Sequence, residues 1–484
     1  MSTIKLKYNT SEMSNMNKHK IIVKKCIMIA QKFAILKEKA LKNLQTNILH
    51  FGRNFKIPNP PIFIKKQTHS WFDLFEYEEP NLFQTPLNIT YDEIENDGYK
   101  TSQYKLLFTD IQAKIIEKFF DMYILMYNCT VKYIKTCNYN GTNIGTLTEV
   151  KKILYPDKQR IIKLSQIMGN ENKMVYASSH MLDYAINDSL NAFWSCISNL
   201  KNGHIKHFRI RYLKRNKPNK IIKLEKSAFG EKTILGNSLG VVKCSDEKLN
   251  YKESIETVAI VTKRNNSYFL LLKHKQQPKM TMKTNLISID PGVRTFITGY
   301  HNHGLIEIGK NMSEMIKKML LEIDRINKSK GCFNKVKGII TKTKIVSEKK
   351  IKKMVQKRYD RIKNMIKDMH WKIANYLVSQ YGNIIIGNMS TKKIVEGKLT
   401  GMTKRIAGMM ALFQFTTILK YKCVSNGNNF KKQNEMYTSK CCGKCANKKD
   451  NLGGNTVYKC KKCGLEVGRD INSSRDIMIA ALDK

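Results

Sequence analysis

Four cysteines near the end of the chain constrain its fold more than any other feature of the sequence. They form two CxxC pairs separated by 14 residues: Cys442 with Cys445, and Cys460 with Cys463. Two such turns present four thiolates to one tetrahedral Zn²⁺ ion. Because the protein fills all four ligand positions, the spacing predicts a structural zinc ribbon over residues 438–464. A reduced, metal-free cluster is the alternative, and Cys441 would break the two-residue spacing and is interpreted as a bystander.

The chain also carries a large excess of positive charge. Its 484 residues include 86 Lys and Arg against 39 Asp and Glu, a formal net charge of +47. Self-repulsion of this size opposes folding unless a polyanion neutralises it, so the composition favours nucleic acid as the partner. A solvated basic surface with nonspecific nucleic-acid affinity is the alternative. The sequence has no run of about 18 apolar residues and no apolar signal core at its N-terminus, so neither a membrane span nor secretion is expected.

Three stretches with different patterns precede residue 286. Residues 1–100 contain no motif that indicates chemistry, and a docking arm, a targeting segment and partial disorder all remain open. Between about 109 and 200, apolar residues recur at helical steps, which predicts a helical lobe with Asp110 as its first N-cap. Residues 206–275 alternate in short runs that predict strands, including a basic strand at Phe208–Tyr212 and a hairpin. We interpret residues 101–285 as a basic β-barrel that carries the helical lobe, with a sandwich lacking a groove as the alternative.

From residue 286 onward, strand candidates alternate with long helical patterns. Apolar strands are predicted at 286–289 and 383–386, a returning strand at 300–307, and helices at 312–381, 401–422 and 472–482. This alternation is typical of an α/β domain. The sequence therefore predicts a multidomain α+β protein whose α/β domain consists of residues 286–437 and 465–484, with the ribbon inserted between them.

Two aspartates frame this predicted domain. Asp290 ends an apolar strand, where a carboxylate has no packing purpose, and Asp470 follows the ribbon at the start of a helix. Each alone has a simple explanation, as a strand-end acid in solvent or as a helix N-cap. Together they suggest a divalent-metal site, because two Mg²⁺ ions about 3.5–4 Å apart need bridging carboxylates.

Several motifs resemble those of the transposon-encoded TnpB proteins and, more closely, of the Fanzors, their relatives in eukaryotes and giant viruses. These motifs are Ile289-Asp290-Pro291-Gly292, Tyr437-Thr438-Ser439-Lys440, the ribbon itself and Arg469-Asp470-Ile471-Asn472. The resemblance has specific motifs over residues 290–484, holds only in outline over 105–275 and does not extend to 1–100. It implies an RNase H-like (RuvC) nuclease domain with an inserted zinc ribbon, preceded by a WED-like barrel and a helical recognition lobe.

The chain departs from the TnpB pattern at the second core strand. TnpB-type proteins place a glutamate at the end of that strand, whereas this chain has Gly387 and then Asn388. Between residues 371 and 440 the only acids are Glu396, in a lysine-rich loop, and Glu435, which follows a short strand candidate and leads into the ribbon. We predict that Glu435 completes the site, a relocation similar to that in Fanzors. The alternative is that Glu435 is a surface partner for a neighbouring lysine.

Other polar residues near these motifs receive structural interpretations. Asp476 lies six residues beyond Asp470 and points away from its face of the helix, which indicates a surface acid. His370 is expected to be structural. Arg469 and Arg475 are candidates either for contact with the scissile backbone or for pairing with local acids.

The resemblance implies an RNA-guided DNA endonuclease that cuts target DNA by Mg²⁺-dependent phosphodiester hydrolysis. Asp290, Glu435 and Asp470 would be its catalytic and Mg²⁺-binding residues, with two ions expected, and its guide would be a noncoding RNA from the same locus. The alternatives are a nuclease-dead, RNA-guided DNA-binding protein and an RNA-free, transposon-associated nuclease. An intracellular location is expected, in the nucleus if the protein acts in a eukaryotic host. The sequence makes no prediction about oligomeric state or the motif beside the target.

Overall fold

The computed structural model of the protein describes residues 15–56, 62–68, 73–78, 82–83, 87–93, 99–154, 178–264, 267–275, 283–332, 348–397 and 399–483. Their helices are α1 (Asn15–His50), α2 (Asp110–Asn140), α3 (Leu147–Leu154), α4 (Ser179–Lys201), α5 (Tyr251–Ser254), α6 (Met312–Cys332), α7 (Glu348–Gln380), α8 (Thr391–Glu396), α9 (Gly401–Met410), α10 (Leu412–Asn426) and α11 (Arg469–Ala481). Their strands are β1 (Ile62–Thr68), β2 (Asp73–Glu78), β3 (Tyr99–Leu107), β4 (Asn219–Glu225), β5 (Lys243–Cys244), β6 (Val258–Arg264), β7 (Ser267–Lys275), β8 (Leu286–Pro291), β9 (Ile297–His301), β10 (Gly304–Ile308), β11 (Asn383–Gly387), β12 (Asn429–Gln433), β13 (Val457–Lys459) and β14 (Glu466–Gly468).

The first of two compact units contains residues 97–276 and is built on a five-stranded antiparallel sheet in the order β4-β6-β7-β3-β5. β6 and β7 form the predicted hairpin, with Arg264 opposite Ser267. Helices α2 and α4 share a continuous hydrophobic core with this sheet, and they supply the predicted helical lobe. Closure of the sheet into a barrel stays a prediction.

Helix α2 begins with a capping box. The side chain of Thr109 accepts a hydrogen bond from the N–H of Gln112, and the Gln112 side chain accepts one from the N–H of Thr109. These reciprocal bonds satisfy two backbone donors that the first helical turn leaves without partners. The N-cap is therefore Thr109, and the predicted cap at Asp110 is wrong by one residue.

The predicted basic strand at Phe208–Tyr212 is wrong, because this segment runs as irregular backbone. Phe208 packs edge-on against Phe193 of α4, with ring centroids 5.9 Å apart, and Ile210 is buried. The side chain of Asn128 in α2 hydrogen-bonds the backbone just beyond the segment. The alternation of apolar and basic residues therefore reflects one-sided packing against two helices and not a place in a sheet.

The second unit contains residues 13–96 and 277–484, and its sheet has seven strands in the order β1-β2-β10-β9-β8-β11-β12. β8, β11 and β12 run parallel, with Ile384 opposite Ile287 on one side and Phe430 on the other. The remaining neighbours in this sheet are antiparallel. Parallel strands with helices on both faces are the arrangement of an α/β domain, so the predicted mixed α/β organisation is confirmed.

Successive side chains of β8 point to opposite faces of this sheet. Ile287 and Ile289 pack with the apolar sides of α6, α7, α9 and α10. Leu286 joins the core formed with α1 and α11, and the hydroxyl of Ser288 donates to the carbonyl of Ser474 in α11 at 2.6 Å. Since side chains alternate with a period of two, the next even-numbered residue, Asp290, belongs to the face that α11 covers.

The N-terminal stretch, for which the sequence predicts no chemistry, is part of this second unit. β2 pairs with β10, and β1 pairs with the outer side of β2, so the two strands extend one edge of the sheet. The end of α1 packs on α11 through buried Leu44 and Ile48. Residues 87–93 pass along β12 at the other edge, where the N–H of Asp92 donates to the carbonyl of Phe430 at 2.9 Å. The stretch therefore contacts both edges and one face of the sheet.

The helix predicted over 401–422 is two helices. Ala411, with φ 48° and ψ 51°, lies between α9 and α10 in the left-handed region, which residues other than glycine rarely adopt. The turn lets apolar residues of both helices reach the same core, among them Met410 and Phe415. The returning strand predicted over 300–307 is likewise a hairpin, formed by β9 and β10.

Candidate metal centres

The four predicted zinc ligands converge on one point. Their Sγ atoms lie within 4.8 Å of one another, with 3.5 Å between Cys442 and Cys463 and 3.6 Å between Cys445 and Cys460. A tetrahedral ion with Zn–S bonds of about 2.3 Å would separate its sulfurs by about 3.8 Å, so this cysteine cluster fits Zn²⁺. Cys441 is buried in a bridge with Lys448 outside the cluster, as expected for a bystander.

Hydrogen bonds from the backbone favour the thiolate form of one predicted zinc ligand, Cys460. Burial raises the pKa of the Cys460 thiol, but hydrogen bonds from the backbone of Cys463 and Lys462 act in the opposite direction and outweigh it. The pKa of the thiol is therefore lowered to about 7. The thiolate is the form that binds a metal ion, so this tight turn prepares a ligand as well as placing one.

The parallel strands β8 and β11 bring Asp290 next to the unexpected glycine. Ile289 lies opposite Ile386, so the residue that follows in each strand, Asp290 or Gly387, continues the same register. Each residue also lies two positions after one that faces α11, so both positions are on the face of the sheet that α11 covers. The two positions therefore meet where the parallel strands end, which is where α/β sheets usually form their sites.

Glu435 fills the space that a side chain at residue 387 would need. A Cβ atom added to Gly387 would lie 2.1 Å from Oε1 of Glu435 and 2.7 Å from its Cδ. β12 ends at Gln433, opposite Gly387, and Oε1 of Glu435 then accepts a hydrogen bond from the N–H of Met389 at 2.8 Å. The N–H of Glu435 donates to Oδ1 of Asn388 at 3.3 Å. The two residues after Gly387 thus hold the glutamate over the glycine.

Asp470 lies in the first turn of α11, which covers the same face of the sheet. One turn further on, the side chain of Ser473 hydrogen-bonds the Asp290 carboxylate, and its hydroxyl lies 3.3 Å from Oγ1 of Thr438. The guanidinium Nε of Arg469 lies 3.4 Å from Oδ1 of Asp470. Helix α11 therefore carries an acid to the end of β8 and joins that strand end through Ser473.

The three acids interact electrostatically. The pKa of Asp290 is raised well above its usual value, first by burial and then by the negative charges of Glu435 and Asp470. The hydrogen bond from Ser473 and the charge of Arg469 oppose this rise without cancelling it. Crowded, buried carboxylates repel one another unless a cation or a proton neutralises them. The structure therefore brings the three predicted residues within electrostatic reach of one another, in one acid cluster (Asp290, Glu435 and Asp470). Among the His, Cys, Asp and Glu side chains that the structure describes, only the four cysteines form a group of three or more with ligand atoms within 4.8 Å of one another, so a divalent cation at the acid cluster stays a prediction.

The competing acid, Glu396, is a surface residue. Its side chain is 64 % exposed, and its Oε1 lies 3.9 Å from Nζ of Lys392 one turn earlier in α8. A pair this exposed contributes little to stability. Glu396 therefore has the solvated position expected of it, although it ends a short helix and does not lie in a loop.

The interpretation of Asp476 as a surface acid is wrong. Asp476 is fully buried, and Asn472, Ser473, Ser474 and Arg475 before it are each at most 3 % exposed. Nη1 of Arg475 lies 3.7 Å from Oδ1 of Asp476, so this arginine pairs with a local acid. Five polar residues in a row ordinarily indicate a solvated helix. The contrary signal is the apolar run that follows at 477–479, which leaves the helix no polar face to turn outward.

His370 has the expected structural role. Its ring lies 5.3 Å from that of Phe296 and 5.5 Å from that of Phe415, and its Nε2 is 3.0 Å from the carbonyl of Met410. Burial lowers its pKa to about 4, so it is neutral near pH 7.

The fold and the two sites define a mixed α/β protein with a four-cysteine cluster and an acid cluster at the end of its parallel strands. Known proteins resemble it in sequence. The Cas12f1-like TNB domain family matches residues 413–477, which include the ribbon and α11 as far as Ile477. A TnpB-like protein of Acanthamoeba polyphaga mimivirus is 27 % identical over 462 residues, covering 88 % of this chain and 86 % of the relative.

Two further similarities involve Cas12f1. The CRISPR-associated endodeoxyribonuclease Cas12f1 of Sulfoacidibacillus thermotolerans is 27 % identical over 138 residues, which are 28 % of this chain and 32 % of the relative. The cryo-EM structure of a Cas12f1–sgRNA–target DNA complex aligns with a TM-score of 0.46 and 16 % identity, covering 77 % of this chain and 83 % of that one. The sequence similarities support a TnpB-like family for the chain, so the TnpB resemblance inferred from its motifs is confirmed. The narrower assignment to Fanzors stays a prediction.

Among the helices that the structure describes, none combines the length and apolar character needed to cross a membrane.

Proposed function

We propose that the protein is an RNA-guided DNA endonuclease with a RuvC-like site formed by Asp290, Glu435 and Asp470. The observation that carries the proposal is the position of the Glu435 carboxylate, which fills the space that a side chain at residue 387 would need. The end of β11 carries no acid of its own, but the Glu435 carboxylate lies beside it. This favours an active nuclease over a nuclease-dead binding protein.

The acid cluster would hold the Mg²⁺ ions, two of which are expected. When bound, Mg²⁺ supplies Lewis-acid activation of water and neutralises the charge that develops on the scissile phosphate. The chain itself orients the ligands, since Met389 donates to Glu435 and Ser473 to Asp290. Arg469, beside Asp470, offers a guanidinium that can pair with a phosphate of the substrate.

The cysteine cluster would hold one structural Zn²⁺ ion. Its four ligands leave no open position for substrate, so its contribution is to order the chain between Glu435 and Asp470. Zinc would therefore act on the acid cluster only through the fold.

The first unit would hold the guide RNA, a noncoding RNA from the same locus, and the guide–target duplex, by shape and phosphate contacts. The formal charge of +47 supports this assignment. So does the exposed basic segment 206–217, where Nζ of Lys135 lies 3.9 Å from the ring centroid of half-exposed Tyr212. Exposed aromatic rings among cations are suited to stack unpaired bases. The proposed substrates imply an intracellular protein, nuclear in a eukaryotic host.

Production of the protein together with its flanking noncoding sequence tests the proposal. We expect a discrete RNA to copurify and DNA that matches it, carrying randomised flanks, to be cut only with Mg²⁺. Glu435→Gln should abolish cutting and leave target binding intact. Target binding without cutting by the wild-type protein would identify a nuclease-dead protein, and cutting without RNA would identify an unguided nuclease.

A further inference from the structure

Arg475 joins three separate segments of the second unit. Its Nη1 donates to the carbonyl of Gly443 at 2.5 Å, and its Nη2 donates to the carbonyls of Gly52 and of Phe55, the latter at 3.1 Å. Gly443 belongs to the first CxxC turn, and Gly52 and Phe55 follow α1 in the N-terminal stretch. One guanidinium thus connects α11 to the ribbon and to the beginning of the chain.

Asn472 adds a second set of bonds between α11 and the first CxxC turn. Its side chain accepts from the N–H of Gly443 at 3.1 Å and donates to the carbonyl of Cys441 at 2.9 Å. It also donates to Oδ2 of Asp476 at 3.2 Å. Asn472, Arg475 and Asp476 therefore form a buried polar network, in which each residue is at most 1 % exposed.

A buried arginine–aspartate pair is a costly way to gain stability. Desolvation of the two charges offsets much of their attraction, and apolar residues of similar volume often stabilise a core as well or better. What such a network does provide is a fixed geometry, because its hydrogen bonds have fixed directions. The residues it fixes lie on the helix whose first turn carries Asp470 and whose Ser473 bonds Asp290.

We propose that Arg475 is a positioning residue for the acid cluster. By fastening α11 to the first CxxC turn and to residues 52–55, it sets where Asp470 and Ser473 lie relative to Asp290. The inference rests on the proposed function of that cluster as a divalent-metal site. It gives the N-terminal stretch a task in the nuclease domain, and it assigns one to an arginine that contacts no substrate.

Gly443 offers a way to disturb this network without removing a charge or a zinc ligand. A Cβ atom there would lie 2.0 Å from Nη1 of Arg475 and 2.8 Å from Oδ1 of Asp476. Gly443→Ala must therefore displace the guanidinium. Lys461 holds the equivalent place in the second CxxC turn, where its side chain is exposed, so Lys461→Ala is the matched control.

The test measures Mn²⁺ binding to the zinc-loaded full-length protein by electron paramagnetic resonance, without nucleic acid, with zinc content and thermal unfolding as checks. Asp290→Asn identifies the Mn²⁺ signal of the acid cluster. We expect Gly443→Ala to retain its zinc and to weaken Mn²⁺ affinity by roughly tenfold or more, the usual effect of losing an outer contact that orients a ligand. Lys461→Ala should bind Mn²⁺ as the wild type does.

A second pair of variants keeps the outcome clear if Gly443→Ala unfolds. Arg475→Met with Asp476→Asn removes both buried charges together, and Arg475→Lys keeps the charge with fewer donors. We expect Mn²⁺ affinity to fall in the order wild type, Arg475→Lys, double variant. Equal Mn²⁺ affinity in all folded variants would overturn the positioning role, as would a wild type with no Mn²⁺ signal that depends on Asp290. A wild type that binds Mn²⁺ in this way and cuts no DNA would refute the proposed function alone.

Discussion

The two candidate metal centres of this chain are built in opposite ways. The cysteine cluster takes its four candidate ligands from one short segment, residues 442–463, whereas the acid cluster takes its three carboxylates from positions 290, 435 and 470. The first needs only two tight turns. The second forms only when the ends of β8 and β12 and the start of α11 meet, and its crowded, partly exposed carboxylates repel one another in the absence of a cation. Removal of a cysteine should therefore damage folding first, and removal of an acid should damage chemistry first.

Asp290→Asn is the sharpest test of this difference. DNA cleavage should fall by at least about a thousandfold, equivalent to roughly 4 kcal/mol of lost transition-state stabilisation. Metal-free protein should at the same time melt at a higher temperature than the wild type, because one of three repelling charges is gone. Cleavage assays and thermal unfolding in EDTA measure the two effects. A variant that cuts normally, or that melts well below the wild type, would contradict this account of the acid cluster.

Cys442→Ser should give the reverse pattern. Zinc measured by mass spectrometry should drop from about one ion per chain to nearly none, and the ribbon should lose protection from proteolysis, because a structural zinc contributes directly to folding. Cys441→Ser is the control, since this neighbour is equally buried and lies outside the cluster. It should keep its zinc. Equal zinc loss in both variants would assign Cys441 a place among the ligands.

Gly387→Ala tests whether activity depends on the Glu435 carboxylate lying in the space beside Gly387. The added methyl group would collide with the Glu435 carboxylate, so cleavage should fall by about tenfold to a hundredfold with little change in zinc content. Gly387→Glu combined with Glu435→Ala should recover part of the activity, because it removes the collision and restores an acid where TnpB-type proteins have one. Full activity in Gly387→Ala would show that Glu435 adopts another position during catalysis.

Glu396→Gln should have the smallest effect of all. The side chain is exposed and its pairing with Lys392 is long, so cleavage should stay within about twofold of the wild type. A loss comparable to that of Glu435→Gln would make Glu396 the third acid.

The features that the sequence predicts correctly depend on local pattern. The cysteine spacing, the apolar strands that end at Asp290 and Gly387, and the hairpin of β6 and β7 all follow from residues close together in the chain. The prediction of Glu435 also has a local basis, because this acid follows a short strand candidate whose end is expected to lie near the strand end that carries Asp290. The structure adds a physical reason, which is the absence of a Cβ atom at Gly387.

The features that the sequence missed depend on distant contacts. Nothing near Asp476 reveals that carbonyls from residues 52–55 and 443 meet the adjacent arginine, so a buried network resembled a solvated helix. The basic segment at 208–212 alternates like a strand because two helices bury one side of it. The strands β1 and β2 could not be assigned to the seven-stranded sheet from the sequence, since their partner β10 lies more than two hundred residues further on.

That last pairing has a consequence for how the chain folds. The partner of Glu78 in the sheet is Gly304, and the helix that covers the same sheet ends at Ala481. During synthesis, β2 is made long before its partner β10, so the edge of β2 that pairs with β10 stays unpaired for that time. The acid cluster forms only after α11, which carries Asp470, has been made. Pairings this far apart slow folding, and open edges invite association with other chains. We expect the second unit to refold more slowly than the first, with the N-terminal strands among the last amides to gain protection in pulsed hydrogen exchange.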